Sequence, residues 1–309
     1  MQWIFRKINF IIAETKRTFL ISALLLVGFG MIGCAKNHII VPKITSEPTH
    51  QRLTGKFVWF DLFTHDLQST SRFYEALFGW SFKETNSTGK IVKTILRDGV
   101  PIANAVYIKQ EDPKVNASRW LSYISVEDVD RAAKLSVKNR GSVYLQPRDL
   151  KNRGRIAVVN DPQGAIFGLV TATGGDPLDS DFLVNQFLGS ELWTKNPDDA
   201  LKFYNMLAGY EQKLIDIKAD LKYRRLVVND RFCGGLMKLP WDDVKPAWIP
   251  YVSVENTLET VEKATKLGGK IIVEKDSAVQ EGSIAIIADP SGAVFAIIQM
   301  SGIPKREDL

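Results

Sequence analysis

The sequence predicts an α+β chain made of two tandem copies of one domain, and three observations carry that prediction. Trp120, Gly141 and Asp161 recur as Trp248, Gly269 and Asp289, each pair 128 residues apart. A constant step over so long a stretch marks a duplicated unit. Phe73-Tyr74 recurs as Phe203-Tyr204 at a step of 130, so the copies differ upstream by two residues, the size of a loop change. Within each copy one grammar appears twice: a strand rich in aromatic and β-branched residues, a helix, then further strands.

Taken in order, residues 1–33 read as a secretory leader. Arg6, Lys7, Lys16 and Arg17 precede an apolar run from Phe19 to Ile32. A basic front, an apolar middle and small residues before a cleavage point are the marks of such a leader. The run is shorter than the roughly 20 apolar residues a membrane-spanning helix needs. Its end, Met31-Ile32-Gly33-Cys34, resembles the lipobox of bacterial lipoproteins. That resemblance implies cleavage before Cys34 and acylation of its sulfur, by palmitate or a similar chain. Ala35, not aspartate, would then be the second mature residue, as in lipoproteins sorted to an outer membrane facing the periplasm. Residues 34–54, polar, with Pro42 and Pro48 and no apolar period, read as a tether.

The first domain is expected over residues 55–173. Lys56 to Phe63 has strand composition, and Asp66 can cap the helix that follows, whose first amides need an acceptor. Phe73 and Leu77 share a helical face, and Gly79 can close the helix in a left-handed turn. A linker over 174–186 opens with Gly174-Gly175-Asp176-Pro177. The second domain, 187–301, repeats the logic with Asn196 as cap, Pro197 at the first helical position and Gly209 after the end. Asp198 and Asp199 in that first turn complement the helix dipole and need no catalytic role. The later half of each copy opens with a strand, Trp120 to Val126 or Trp248 to Val254, and a helix ending near Gly141 or Gly268. It closes with two strands around Asp161-Pro162-Gln163-Gly164 or Asp289-Pro290-Ser291-Gly292, where the aspartate can bond the turn amides.

Composition excludes several functions. The formal charge is +5, but the leader holds four Lys/Arg and one Glu, so the mature chain is close to neutral. No concentrated basic face for nucleic acid is present. Cys34 and Cys233 are the two cysteines; with Cys34 lipidated no intramolecular disulfide forms, and Cys233 reads as a small buried apolar residue. The three histidines are His38, His50 and His65, so the second copy has none to act as a base. His65, beside the cap Asp66, reads as an exposed turn residue.

A first strand ending in Thr-x-Asp, a helix with Phe-Tyr followed by Phe-Gly-Trp, and a final Asp-Pro-x-Gly-Ala-x-Phe strand together resemble the vicinal oxygen chelate superfamily. This group holds the glyoxalases, the extradiol dioxygenases and the bleomycin-resistance proteins. The resemblance covers both copies. It implies two βαβββ modules per domain, paired into a curved sheet around a cleft. Metal-dependent members supply His, Gln or Glu from the first, fourth, fifth and last strands, since a divalent ion needs such donors at about 2.0–2.2 Å. Carried onto this sequence, the first-strand position falls on Trp59 and Gly189, and the last-strand position on Gly168 and Ala296. The fifth-strand position falls on or next to Leu121 and Ile249, while Pro101 to Tyr107 and Phe232 to Lys238 contain no carboxylate or histidine. Asp61 and Glu191, two residues beyond Trp59 and Gly189, share their strand faces.

The expectation is a membrane-tethered binding protein that uses neither a metal nor another cofactor. It would hold a small, partly apolar molecule against Trp59, Phe60, Leu121 and Tyr123 in the first cleft, and against Trp193, Ile249 and Tyr251 in the second. Two alternatives stand beside it. One is a glyoxalase- or dioxygenase-related enzyme with a displaced metal site, in which Asp61 and Glu191 would converge. The other is a structural envelope module. Whether the copies close on each other within one chain or across a dimer stays open.

Overall fold

The computed structural model describes residues 41–85, 91–112, 116–179, 181–218, 221–239, 244–273 and 284–299. The expected leader, its Cys34 and residues 35–40 lie outside the described residues. Among those described, no helix is long and apolar enough to cross a membrane.

The first copy runs β1 (Phe57–Thr64), α1 (Leu67–Phe78), β2 (Ser81–Thr85), β3 (Val92–Arg97), β4 (Val100–Tyr107), β5 (Arg119–Ser125), α2 (Val129–Lys138), β6 (Ser142–Leu150), β7 (Gly154–Asn160) and β8 (Ile166–Ala172). The second runs β9 (Phe187–Thr194), α3 (Pro197–Ala208), β10 (Glu211–Lys218), β11 (Leu221–Val228), β12 (Arg231–Lys238), β13 (Ala247–Val254), α4 (Thr257–Lys266), β14 (Lys270–Val273), β15 (Ile284–Ala288) and β16 (Val294–Gln299). Each copy makes one eight-stranded sheet, ordered β2-β3-β4-β1-β5-β8-β7-β6 and β10-β11-β12-β9-β13-β16-β15-β14. Two βαβββ modules therefore meet in each sheet along the antiparallel pairs β1–β5 and β9–β13.

Local chemistry sets the helix ends. The Ser69 amide donates to Asp66 Oδ1 at 3.0 Å, and the Asp199 amide donates to Asn196 Oδ1 at 3.2 Å. Gly79 and Gly209 end α1 and α3 at φ of 71° and 74°, a left-handed conformation that glycine adopts without a Cβ penalty. The Asp-Pro turns behave as expected. Asp161 Oδ1 accepts from the Gln163 and Ala165 amides at 2.8 and 2.9 Å, and Asp289 Oδ1 from the Ser291 and Ala293 amides at 2.8 and 3.0 Å.

Strand alternation gives each sheet an inner and an outer face. The inner faces and all four helices share one continuous core, in which α1 lies beside α4 and α2 beside α3. Aromatic rings cross the boundary: Phe60 stacks on Phe187 with centroids 4.1 Å apart, and Phe295 meets Tyr74 at 5.5 Å. A hydrogen-bond chain crosses it too. Trp248 Nε1 donates to the Tyr204 hydroxyl at 2.8 Å, and that hydroxyl donates to Asp161 Oδ2 of the other copy at 3.2 Å. Trp120 Nε1 donates likewise to Tyr74 at 2.9 Å, and Tyr74 lies against Asp289. The two copies thus close on each other within one chain.

The segments expected to be tether and linker are docked where they are described. Val41 and Ile44 are buried, and the amides of Thr49 and His50 donate to Gly174 O at 2.8 and 2.9 Å. Asp176 is fully buried and accepts from Arg52 Nη1 (2.6 Å), the Leu53 amide (2.6 Å) and Ser125 Oγ (2.5 Å). A carboxylate taken out of water persists only with such partners, so this one side chain clips both segments to the first domain. Sequence polarity concealed this, because the docking uses two scattered apolar residues, one aspartate and backbone groups instead of an apolar period.

Candidate functional site

The outer face of the first sheet gathers Trp59, Leu121 and Tyr123 in one packed cluster with Ile44 from the amino-terminal segment. At its centre Asp61 Oδ1 accepts from Trp59 Nε1 and from Asn104 Nδ2, both at 3.0 Å. Arg153, which is 3% exposed, lays its guanidinium 4.0 Å from the Trp59 ring centroid and donates from Nε to Pro42 O at 3.2 Å. Its Nη2 and Asn104 Oδ1 are buried without a partner among the described residues. Burial, and then the Asp61 charge, hold the Tyr123 phenol well above its ordinary pKa, so it stays protonated.

Gly168 explains the fit of that phenol. A Cβ placed there would lie 2.2 Å from Tyr123 Cδ1, so the ring occupies the space a side chain would need. Gly168→Ala is expected to cost about 1–3 kcal/mol through overpacking. Adding Tyr123→Ala should recover part of the loss as a coupling energy in a urea double-mutant cycle. Strictly additive losses would show that the ring does not fill that space.

The outer face of the second sheet repeats the design with different residues. Glu191, 1% exposed, accepts at Oε1 from Trp193 Nε1 (2.6 Å) and from the Tyr251 hydroxyl (2.9 Å), and Ile249 packs beside them. Asp61 and Glu191 belong to the outer faces of different sheets, which turn away from each other. The convergence that the alternative enzyme reading needs of them is therefore not found. Phe60 is a second correction: alternation along β1 turns it to the inner face, against Phe187.

An open cavity of about 600 Å³ lies where the copies join, lined by equivalent pieces of each. The starts of β1 and β9 form its floor, with Phe57, Trp59, Phe60 and Phe187. The turns before β4 and β12 bring Arg97, Asp98, Ile102, Asp230, Arg231 and Phe232, and the linker adds Leu178 and Asp179. Cys233 also lines it, buried as expected, with its thiol pushed up to about 11 by burial. His65 is half-buried and shares a 2.9 Å hydrogen bond with Ser118 Oγ, away from this cavity.

Comparison with known proteins places this geometry. Residues 56–169 match the model of the Glyoxalase/Bleomycin resistance protein/Dioxygenase superfamily. "Putative glyoxylase CFP32" of Mycobacterium bovis is 31% identical over 246 residues, covering 78% of this chain and 93% of that protein. The chain belongs to the glyoxalase/bleomycin resistance protein/dioxygenase superfamily. "Anthracycline biosynthesis protein DauV" of Streptomyces sp. is 26% identical over 264 residues, covering 80% of this chain and 94% of that one. The Mn(II)-bound glyoxalase of Novosphingobium aromaticivorans shares the fold, with a TM-score of 0.55 at 13% identity, covering 82% of this chain and 84% of that one.

The residues present do not fit the superfamily's divalent metal. Register sets Trp59, Tyr123 and Gly168 level across β1, β5 and β8. Gly189, Tyr251 and Ala296 are level across β9, β13 and β16. Each row offers one phenol and no imidazole or carboxylate, and the space a side chain would need at the last-strand position of the first, Gly168, is filled by the Tyr123 ring. Among the described residues no three His, Cys, Asp or Glu side chains cluster as a metal site would require. The fifth-strand positions are the tyrosines, while Leu121 and Ile249 face Asp61 and Glu191. Counting from a motif does not reveal cross-strand pairing. Asn104, Arg153 and Arg231 have no motif to announce them; Arg231 directly follows the polar turn Asn229-Asp230, which marks a turn and no site.

Proposed function

We propose that this superfamily member is a membrane-tethered, metal-independent protein that holds a small, partly apolar molecule in the cavity between its two copies. One observation carries the reading. The metal row is packed shut with Tyr123 on Gly168, whereas the junction keeps an open, ring-lined space of a size that suits small organic ligands. Of the binding residues expected from sequence, Trp59 and Phe60 line that space. Leu121, Tyr123, Trp193, Ile249 and Tyr251 do not line it; they pack in the outer-face clusters of the two sheets. The relatives' names, a glyoxylase and an anthracycline biosynthesis protein, agree with a small organic molecule as partner. Tethering rests on Cys34, acylated and held in the bacterial envelope.

Metal dependence tests the first half. The full chain in detergent, treated with chelator and then reloaded with Mn(II), Zn(II) or Fe(II), should melt at one unchanged temperature and carry no stoichiometric metal by elemental analysis. A specific site would add roughly 2.7 kcal/mol at a hundredfold excess over its Kd, a clear upward shift. Such a shift would overturn the reading. For the second half, Cys34→Ala should abolish palmitate labelling and release the protein from membranes. Recovery of residues 1–33 on the mature protein would refute cleavage.

A further inference from the structure

We infer that the junction cavity selects a small anionic ring compound, an aromatic carboxylate in the simplest case, with Arg231 as the group that receives its charge. This rests on the cavity being the binding site and adds the ligand's charge and the recognising residue.

The argument is a charge balance. Six charged side chains line the cavity. Lys56 Nζ pairs with Asp179 Oδ1 at 2.8 Å, Arg97 Nη2 with Asp98 Oδ2 at 3.2 Å, and Asp230 Oδ1 with Lys213 Nζ at 2.9 Å. Arg231 is the remainder. It has no carboxylate within 4.0 Å among the described residues. Its Nη2 donates to the Thr54 carbonyl at 2.7 Å, and its Nε is buried without an acceptor among the described residues. The remaining nitrogen, Nη1, has no hydrogen-bond partner among the described residues. A half-buried guanidinium left with a free donor beside an open space matches a carboxylate, to which it can present a charge-assisted bond.

The walls supply the rest of the ligand's chemistry. Phe57, Phe60, Phe187 and Phe232 offer ring faces and edges, and Ile102 and Leu178 offer aliphatic surface. The bond to Thr54, the last residue of the amino-terminal segment before the first copy, holds an arginine of the second copy, so the anion contact is positioned before a ligand arrives.

The test uses a matched pair, naphthalene-2-carboxylate and the neutral naphthalene-2-carboxamide, titrated calorimetrically into the full chain in detergent. The carboxylate should bind about tenfold tighter than the amide. Arg231→Gln should remove that preference, and Arg231→Lys should restore part of it. Leu178 is 51% exposed, so Leu178→Trp leaves the core alone and should weaken both compounds by narrowing the cavity. Thermal melts of each variant confirm that it is folded. Equal affinity of the two compounds for the natural chain, or a preference that survives Arg231→Gln, overturns the role of Arg231 while the cavity stands. Saturation by neither compound overturns the cavity itself, and the proposed function with it.

Discussion

Phe295→Ala is expected to cost about 3–5 kcal/mol and to unfold both copies in a single transition. The ring is 1% exposed and comes from the last strand of the second copy, yet its neighbours belong to the first. Its centroid lies 6.2 Å from that of Phe73, 5.5 Å from Tyr74 and 5.9 Å from Phe78. Removing it leaves a void that two rigid sheets cannot close, and the loss falls on a core belonging to neither copy alone. Urea denaturation followed by tryptophan fluorescence and by far-UV circular dichroism should give coincident curves, shifted together by the substitution. Two separated steps, with only the second copy weakened, would show that the copies are stable apart.

The second large effect is on pH. Burial pushes the Asp289 carboxyl up to about 6 from an ordinary 3.8, against the opposing hydrogen bonds of Ser291 and Ala293. A folded-state value above the unfolded one means that folding favours the protonated acid. The stabilisation is complete below pH 4 and is lost as pH rises through about 6. At 1.36 kcal/mol per unit the loss is about 3 kcal/mol. Asp161, its counterpart, is raised by burial in the same direction. Asp66, held below its ordinary value by the Ser69 amide, contributes with the opposite sign, so the informative quantity is a difference between variants. Asp289→Asn keeps an oxygen for the turn amides and cannot ionise. Its stability relative to the natural chain should climb by about 3 kcal/mol between pH 4 and pH 7 in urea melts. Parallel pH profiles would mean that Asp289 titrates normally in the folded protein.

Much of this architecture was legible because it is written in local rules. Asp66 and Asn196 as caps, Gly79 and Gly209 as helix ends, and the aspartates of the Asp-Pro turns each act within four residues of themselves. The duplication made every such reading available twice. What stayed hidden depends on long-range pairing. Tyr123 becomes level with Trp59 only through the β1–β5 register, and Arg153 reaches Trp59 from a loop 94 positions along the chain. Alternation separates Phe60 from Trp59, the one joining the inner core and the other the outer cluster, and only the junction of the copies brings both to one cavity. Arg231 gains meaning only when its neighbours' charges are seen to be satisfied.

The docking of Val41 and Ile44 sets a distance scale for the proposed anchor. Seven peptide units separate Cys34 from Val41, and an extended chain advances at most about 3.3–3.6 Å per residue. With the lipid on Cys34, the leash is no longer than about 25 Å, less than the diameter of a small domain. Under the proposed acylation of Cys34, the globular part would stay within that distance of the bilayer, with the first sheet's outer face, where Ile44 packs, nearest the attachment point. The proposed ligand, an anion carrying an apolar ring, would then be met at the headgroup layer, where water and hydrocarbon compete for it.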